Sequence, residues 1–246
     1  MHPIVIIPAR MAASRLPGKP LVDIGGVPMI LRVLDLALAA DVGPVAVAAG
    51  DAEIAWAVEA AGGRTVLTDP DLPSGSDRIK AALAELDPAN RHDVVINLQG
   101  DIPFIEPALI RACAELLATE PTCDIATLIA PEGSPAERSD PDCPKAIVTL
   151  TPDGTRARAH YFTRSTLFGE APVWRHIGIY GYRRRALDRF TTAEPSPLER
   201  REKLEQLRAL ELGLSIWAAV ADAMPMEVNN EAELAIARAH AERIRR

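Results

Sequence analysis

The chain has 246 residues, of which 48% are hydrophobic and 25% are charged, as in an ordinary folded domain. Its formal net charge of −7 argues against non-specific binding to nucleic acid. No apolar run reaches the roughly 18 residues needed to cross a bilayer, and the N-terminal MHPIVIIPAR predicts a buried strand rather than a signal peptide. The three cysteines lack metal-ligand spacing, so we expect free thiols in a reducing cytoplasm. Because no apolar run is long enough to cross a bilayer, we also expect no membrane insertion.

Short apolar runs alternate with helix-like segments in the first half of the chain. The predicted strands are Ile4–Ile7, Val45–Ala48, Thr65–Leu67 and Val94–Leu98, and the predicted helices are Met29–Ala40, Ala52–Ala61 and Ile79–Leu86. This alternation predicts an α/β fold with a mostly parallel, Rossmann-like sheet and helices on both faces. Ligands of such sheets bind beyond the carboxyl ends of the strands.

The second half of the chain has a different pattern. Residues 144–183 read as strands joined by turns, with Trp174–Tyr182 strongly β-like. Glu199–Leu212 predicts one helix ending at Gly213, followed by a strand over Ser215–Val220 and a last helix from about Glu231. We therefore expect one domain with a β-rich insertion.

The loop after the first strand carries a cluster of cations. PARMAASRLPGK places Arg10, Arg15 and Lys19 within ten positions, among small residues that let backbone amides approach phosphate oxygens. Mutual repulsion of these cations favours an anionic ligand, although a solvated loop with ordinary surface charges is the alternative. The loop is neither a Walker A motif nor a G-x-G-x-x-G motif.

Two further segments combine polar groups with structural roles. In SGSDR, Ser74 or Ser76 could cap the helix that follows, and such capping is a sufficient structural explanation. In NLQGD, Asp101 follows the most hydrophobic internal strand, where a carboxylate is suited to holding Mg²⁺ against phosphates. A simple turn aspartate is the alternative.

The segment IPARMAASRLPGKPLVDIGGVPMI resembles the signature of sugar-activating nucleotidyltransferases, and among them the 3-deoxy-manno-octulosonate cytidylyltransferases. SGSDR is similar to the family's cytosine-reading SGTDR, and QGDIP matches its QGD-x-P pattern. The resemblance implies a nucleotidyltransferase fold, with Arg10, Lys19 and Asp101 as catalytic residues. It also implies a nucleotide-binding set consisting of Pro8, Ala9, Arg10, Arg15, Lys19, Ser74, Gly75, Arg78 and Gln99.

Three segments of the second half resemble the family's acceptor site: YFTR, HIGIYGY and LEQLR. An acidic sugar needs a cation for its carboxylate and neutral partners for its hydroxyl groups. The implied sugar-binding residues are Gln99, Arg164, His176, Tyr180, Glu205 and Gln206. Each alone also has an ordinary structural explanation.

The segment EVNNE departs from the family's V-D-T pattern, because Asn229 stands where relatives carry an aspartate thought to hold a second metal. The resemblance implies a Mg²⁺ site formed by Asp101 and Asn229, and Glu227 could substitute for the missing carboxylate. A less active or differently tuned enzyme is the other possibility.

The resemblance implies transfer of CMP from CTP to 3-deoxy-D-manno-octulosonate (Kdo) for lipopolysaccharide synthesis, by a cytoplasmic homodimer. The alternatives are a cytidylyltransferase for a modified or different acidic sugar, and a weakened nucleotide-binding relative. We expect a single domain over residues 1–246, with CTP bound by about 1–130 and sugar binding and dimerisation in about 131–215. The last strand and helix would return to the main sheet.

Overall fold

A computed structural model describes residues 1–12 and 15–244 of the chain. Ala13 and Ser14, which belong to the predicted phosphate loop, lie outside the described residues. The described residues form two compact units: residues 2–12, 15–111 and 225–244 make the first unit, and Met1 with residues 112–224 makes the second. The chain therefore leaves the first unit once and returns to it.

The first unit contains a four-stranded parallel sheet. Its strands and helices are β1 (Pro3–Ala9), β2 (Asp23–Ile24), β3 (Val27–Pro28), α1 (Met29–Ala39), β4 (Val45–Ala49), α2 (Ala52–Ala60), β5 (Thr65–Leu67), α3 (Gly75–Leu86) and β6 (Val94–Leu98). Helix α4 (Pro107–Thr119) begins in the first unit and ends in the second. The parallel strands lie in the order β5-β4-β1-β6. Every residue of β4 and β6 is buried, as expected for strands covered on both faces. The predicted α/β class and all four predicted strands are confirmed.

A tight hairpin joins the predicted phosphate loop to α1. Strands β2 and β3 pair through Ile24 and Val27, so only Gly25 and Gly26 form the turn. Both glycines have positive φ, 62° and 81°, which side chains disfavour and which two-residue hairpins of this kind require. The GG dipeptide thus fixes where the chain reverses before α1 begins.

The second unit is rich in antiparallel strands. Its elements are β7 (Ile125–Pro131), β8 (Lys145–Leu150), β9 (Arg156–Thr163), β10 (Trp174–Arg183), α5 (Arg184–Thr192), α6 (Pro197–Glu202), α7 (Gln206–Glu211) and β11 (Ile216–Val220). The strand order is β10-β7-β11-β9-β8, in which only the pair β7–β11 is parallel. Strand β8 also pairs with β10, so the first and last strands of this order meet. The predicted β-rich insertion is confirmed.

The prediction of one helix over Glu199–Leu212 is wrong. Helix α6 begins with a capping box between Ser196 and Glu199 and ends at Lys203, whose φ of 55° is left-handed. Helix α7 starts only at Gln206. A left-handed residue cannot continue an α-helix, so the charged segment forms two short helices.

The last helix, α8 (Glu231–Ile244), belongs to the first unit and confirms the predicted start near Glu231. Its buried side chains join a hydrophobic cluster with residues from before and within α1. The cluster consists of Leu16, Ile24, Met29, Val228, Leu234, Ala237 and Ala241. Leu16 follows Arg15 in the predicted phosphate loop, so α8 packs against the buried side of this loop.

Candidate functional site

A cavity of about 350 Å³ opens in the first unit, and residues that follow β1 and β6 line it. Parallel sheets bind ligands at the carboxyl ends of their strands, where this cavity lies. Every residue predicted to bind nucleotide or metal lines it: Pro8, Ala9, Arg10, Arg15, Lys19, Ser74, Gly75, Arg78, Gln99, Asp101 and Asn229. The structure thus brings together segments that lie up to 221 positions apart in the sequence. Their individual roles stay predictions.

Apolar side chains complete the cavity wall. Leu16, Pro20, Met29 and Leu72 line it beside the polar groups. Sequence reasoning did not assign Leu16, Pro20 or Met29 to the site, because an apolar side chain in a loop or at a helix start does not distinguish a pocket wall from the core. Cavities with a few converging polar groups among apolar walls are typical of small-molecule sites.

Lys19 lies at the centre of the polar side of the cavity. Its ammonium donates to Asp101 Oδ2 at 2.7 Å and to Asn229 Oδ1 at 2.9 Å. The backbone holds the two acceptors together, because the Val228 N–H donates to the Asp101 carbonyl at 2.9 Å. Two oxygen atoms from distant segments therefore converge on one cation.

These oxygens fit a magnesium ion that arrives with phosphate. The two converge on a positive group already, and Mg²⁺ is commonly held by one or two carboxylates together with substrate phosphates. Across residues 1–12 and 15–244, three or more His, Cys, Asp or Glu side chains nowhere gather as a metal site. Asp101 and Asn229 would supply two oxygen ligands to such an ion.

Asn229 has a defined orientation. Its Nδ2 donates to Glu227 Oε2 at 3.4 Å, and its backbone N–H donates to Glu233 Oε2 at 2.5 Å. Glu227 therefore lies next to the asparagine, as the prediction that it could substitute for an aspartate requires. The segment that carries both residues is irregular.

Arg78 is buried in the cavity wall, with 2% of its surface exposed. It donates to Thr68 Oγ1 at 2.6 Å and to the carbonyl oxygens of Asp69 and Pro70 at 2.9 and 3.1 Å. Burial, followed by the nearby charge of Arg10, lowers the pKa of its guanidinium below the ordinary value. Arg78 thus holds the 68–70 loop in place while it lines the cavity.

Gly50 leaves room for this arginine. A Cβ at position 50 would lie 2.7 Å from Arg78 Nη1 and 3.1 Å from Arg10 Cβ. The backbone of Gly50 also donates to the Ala9 carbonyl at 2.8 Å, so β1 and β4 stay paired up to this point. A side chain at position 50 would therefore push the two arginines apart.

Ser74 confirms the predicted helix cap. Its hydroxyl accepts from the Asp77 N–H at 3.1 Å and donates to the Asp77 carboxylate at 2.7 Å. The helix accordingly begins at Gly75, four residues before the predicted start at Ile79. Ser76 is fully buried, and its hydroxyl has no hydrogen-bond partner among the described residues.

Gln99 and Arg10 leave polar groups at the cavity surface. Gln99 Nε2 donates to Asn97 Oδ1 at 3.1 Å, which fixes the orientation of its amide. Arg10 is exposed, as is Arg15. Both arginines can therefore reach an anion in the cavity without losing a buried partner.

The residues predicted to bind the sugar, apart from Gln99, lie in the second unit. Arg164 follows β9, and its guanidinium donates to the Pro141 carbonyl at 2.7 Å. The buried ammonium of Lys145 donates to the carbonyl oxygens of Asp140 and Arg164, at 2.7 and 3.2 Å. Burial lowers the pKa of this ammonium. Sequence reasoning missed Lys145, because nothing in the pattern of this strand reveals a buried cation.

His176 is buried in β10 and uncharged. Complete burial lowers its pKa to about 3. Its Nε2 lies 2.9 Å from Thr127 Oγ1, which also lies 3.2 and 2.8 Å from the carbonyl oxygens of Ile177 and Ile179. Because carbonyl oxygens only accept, we assign the single hydroxyl hydrogen to one of them and the donor role to Nε2. The ring packs against Tyr180, with centroids 5.3 Å apart. His176 can therefore act only as a neutral hydrogen-bonding group near pH 7.

Glu205 and Gln206 stand at the start of α7. Glu205 lies 3.8 Å from the Arg208 guanidinium, which also forms a close pair with Glu199 at 2.7 Å. Gln206 is 5% exposed, and its Nε2 has no hydrogen-bond partner among the described residues. A buried amide without a partner is costly, so this group is suited to receiving a hydroxyl of a ligand.

Comparison with solved structures gives the class of protein. The structure of a CMP:2-keto-3-deoxy-manno-octonic acid synthetase complexed with CTP covers 99% of this chain and 100% of its own, with a TM-score of 0.90 and 35% identity. A nucleotidyl transferase from Methanothermobacter thermautotroptrophicus shares the fold with a TM-score of 0.62 at 16% identity. Fold and cavity together define an α/β nucleotidyltransferase.

Sequence comparison narrows the class to a family. Residues 4–216 match the cytidylyltransferase family. The 3-deoxy-manno-octulosonate cytidylyltransferase of Rhodospirillum centenum is 56% identical, over 97% of this chain and 93% of its own length. That of Parvibaculum lavamentivorans is 55% identical, over 97% and 92%. The chain belongs to the 3-deoxy-manno-octulosonate cytidylyltransferase family. Within residues 1–12 and 15–244, no helix is long and apolar enough to span a membrane.

Proposed function

We propose that the protein transfers CMP from CTP to the anomeric hydroxyl of Kdo, giving CMP-Kdo and pyrophosphate. The observation that carries the proposal is the single cavity in which Arg10, Lys19 and Asp101 meet Ser74 and Gln99. Cations for a triphosphate and polar groups for a base therefore line the same space. Relatives with more than half of their residues identical over nearly the whole chain have this activity in their names.

The chain's own residues would act mainly by position and charge. Arg10, Arg15 and Lys19 would bind the triphosphate, and the anomeric oxygen would attack the α-phosphorus in line. As that P–O bond forms, the hydroxyl proton passes to solvent, the bond from the α-phosphorus to the bridging oxygen breaks, and the electron pair leaves with pyrophosphate. Lys19 would offset the negative charge on the leaving group, since positioning and charge stabilisation supply most of the catalysis of phosphoryl transfer.

We propose Mg²⁺ as the cofactor, held by Asp101 and the Asn229 amide oxygen. When bound, it would neutralise phosphate charge and orient the triphosphate. Lys19 now occupies the position between these oxygens, so its ammonium must move towards the phosphates when the metal and CTP bind. Loss of CMP transfer on chelation, restored by added Mg²⁺, is the expected result.

The acceptor would bind through Arg164, Tyr180, Glu205 and Gln206, with His176 as a neutral partner. We also propose that the protein acts as a cytoplasmic homodimer in lipopolysaccharide synthesis, as the family resemblance implies. Sedimentation of the purified protein at twice the mass of its 26.5 kDa chain would support the dimer.

The first test is pyrophosphate release from CTP and Mg²⁺, with and without Kdo. We expect release only when both substrates are present, and much less with UTP, GTP or dTTP. Equal release with another base, or release that needs a different acidic sugar, would contradict the proposed specificity.

A Lys19→Ala variant tests the site itself. Its turnover should fall about 100-fold or more, since loss of a single charge-stabilising donor has effects of this size. Lys203→Ala, at an exposed position, is the matched control. Unchanged turnover in Lys19→Ala would show that the loop does not hold the reacting phosphates.

A further inference from the structure

Asp51 stands at the N-cap of α2, immediately after β4. Aspartate at this position normally accepts a hydrogen bond from the first turn of its own helix. Here the side chain makes no such cap. Instead, Asp51 Oδ2 accepts from the Met11 N–H at 2.7 Å, 40 positions earlier in the sequence. The helix therefore forgoes its cap, and the loop after β1 gains an anchor.

Asp51 also acts on the charge of Arg78. The charge of Arg10 disfavours the charged form of Arg78, whereas the charges of Asp51 and Asp69 favour it. Gly50 brings these groups close, since a Cβ there would contact both arginines. Without the Asp51 carboxylate, less negative charge would offset the repulsion between the two guanidinium groups.

The loop is thus tied to the end of β4 at two successive points. The Gly50 N–H donates to the Ala9 carbonyl at 2.8 Å, and the Met11 N–H donates to Asp51. Arg10 lies between these two bonds, and its side chain lines the cavity. The backbone on both sides of this arginine is therefore fixed before any ligand binds.

We propose that Asp51 is a positioning residue for the nucleotide: it fixes the backbone around Arg10 and offsets the repulsion between Arg10 and Arg78. Asp51 does not line the cavity itself. The proposal rests on the proposed function, because it assumes that Arg10 meets the phosphates of CTP. Its effect should appear in CTP affinity and not in the stability of the fold.

The test compares Asp51→Ser and Asp51→Asn with wild-type protein by calorimetric titration with CTP and by thermal unfolding. Serine is a good N-cap, so Asp51→Ser should keep or raise the melting temperature while it weakens CTP binding about tenfold, the usual effect of losing one charge-assisted hydrogen bond. Asp51→Asn keeps an acceptor oxygen and loses the charge. It should therefore show a smaller loss of affinity.

Glu53→Gln is the control, since Glu53 is an exposed acid in the first turn of the same helix. It should bind CTP as the wild type does. CTP affinity within twofold of wild type in Asp51→Ser would overturn the proposal, as would a loss of affinity that is matched by a lower melting temperature. If wild-type protein did not bind CTP, the proposed function would fail first.

Discussion

Replacing His176 by glutamine should change how the stability of the protein depends on pH. In the unfolded chain a histidine has an ordinary pKa near 6.5, whereas burial lowers the pKa of folded His176 to about 3. Between these values the unfolded chain binds a proton that the folded protein does not. The contribution of neutral His176 to the free energy of unfolding is therefore complete above pH 6.5 and falls as the pH falls towards 3.

The size of the effect follows from the two pKa values. Between pH 8 and pH 5, this one residue should cost wild-type protein about 2 kcal/mol of unfolding free energy. The His176→Gln variant keeps a donor for Thr127 and cannot take up a proton. Its stability relative to wild type should therefore improve by that amount over the same range, even if it is lower at pH 8.

Urea unfolding at pH 8, 6.5 and 5 measures this difference. His160→Gln serves as the control, since His160 is exposed and its Nε2 lies 2.9 Å from Thr149 Oγ1. The contrary result is that the unfolding free energies of wild type and His176→Gln change by the same amount between pH 8 and pH 5. His176 would then take up a proton as readily in the folded protein as in the unfolded chain, and the reasoning would be refuted.

Three further substitutions test buried contacts within each of the two units. Gly50→Ala puts a Cβ 2.7 Å from Arg78 Nη1 and should lower both CTP affinity and melting temperature; unchanged titration and melting curves would contradict this packing. Lys145→Met leaves two carbonyl oxygens without their donor and should cost about 1–3 kcal/mol in urea unfolding, and a stability equal to that of wild type would argue against the buried bonds. Leu234→Ala opens the cluster beneath Leu16 and should cost about 2–5 kcal/mol by the same measurement, together with weaker CTP binding; a loss below 1 kcal/mol would show that the helix does not support the loop.

The sequence predicted the parallel strands well because their apolar runs are continuous. Each of β4 and β6 is buried along its whole length, so the local pattern carries the full information. The helix over Glu199–Leu212 was predicted wrongly because Leu spacing continues across the break. The left-handed backbone of Lys203 divides this segment into two helices, and a lysine in the sequence does not usually indicate a left-handed residue.

The candidate site was predicted from its motifs, while its supporting residues were not. Arg10, Lys19 and Asp101 stand in recognisable segments next to strand ends. Asp51 directly precedes the predicted helix Ala52–Ala61, and its bond to Met11 depends on two strands being neighbours in the sheet. Such partners become visible only when the fold places distant segments side by side.

The return of α8 to the first unit bears on how the protein is made. Leu16 packs in one cluster with Val228 and Leu234, more than 200 residues later, and Asn229 lines the same cavity as Pro8. A ribosome that has synthesised residues 1–111 has thus produced every strand of the parallel sheet, but neither Asn229 of the cavity lining nor the helix α8 that packs behind Leu16. The entire second unit must be translated before the nucleotide cavity can close, so an unfinished chain is an incomplete binder of its substrate.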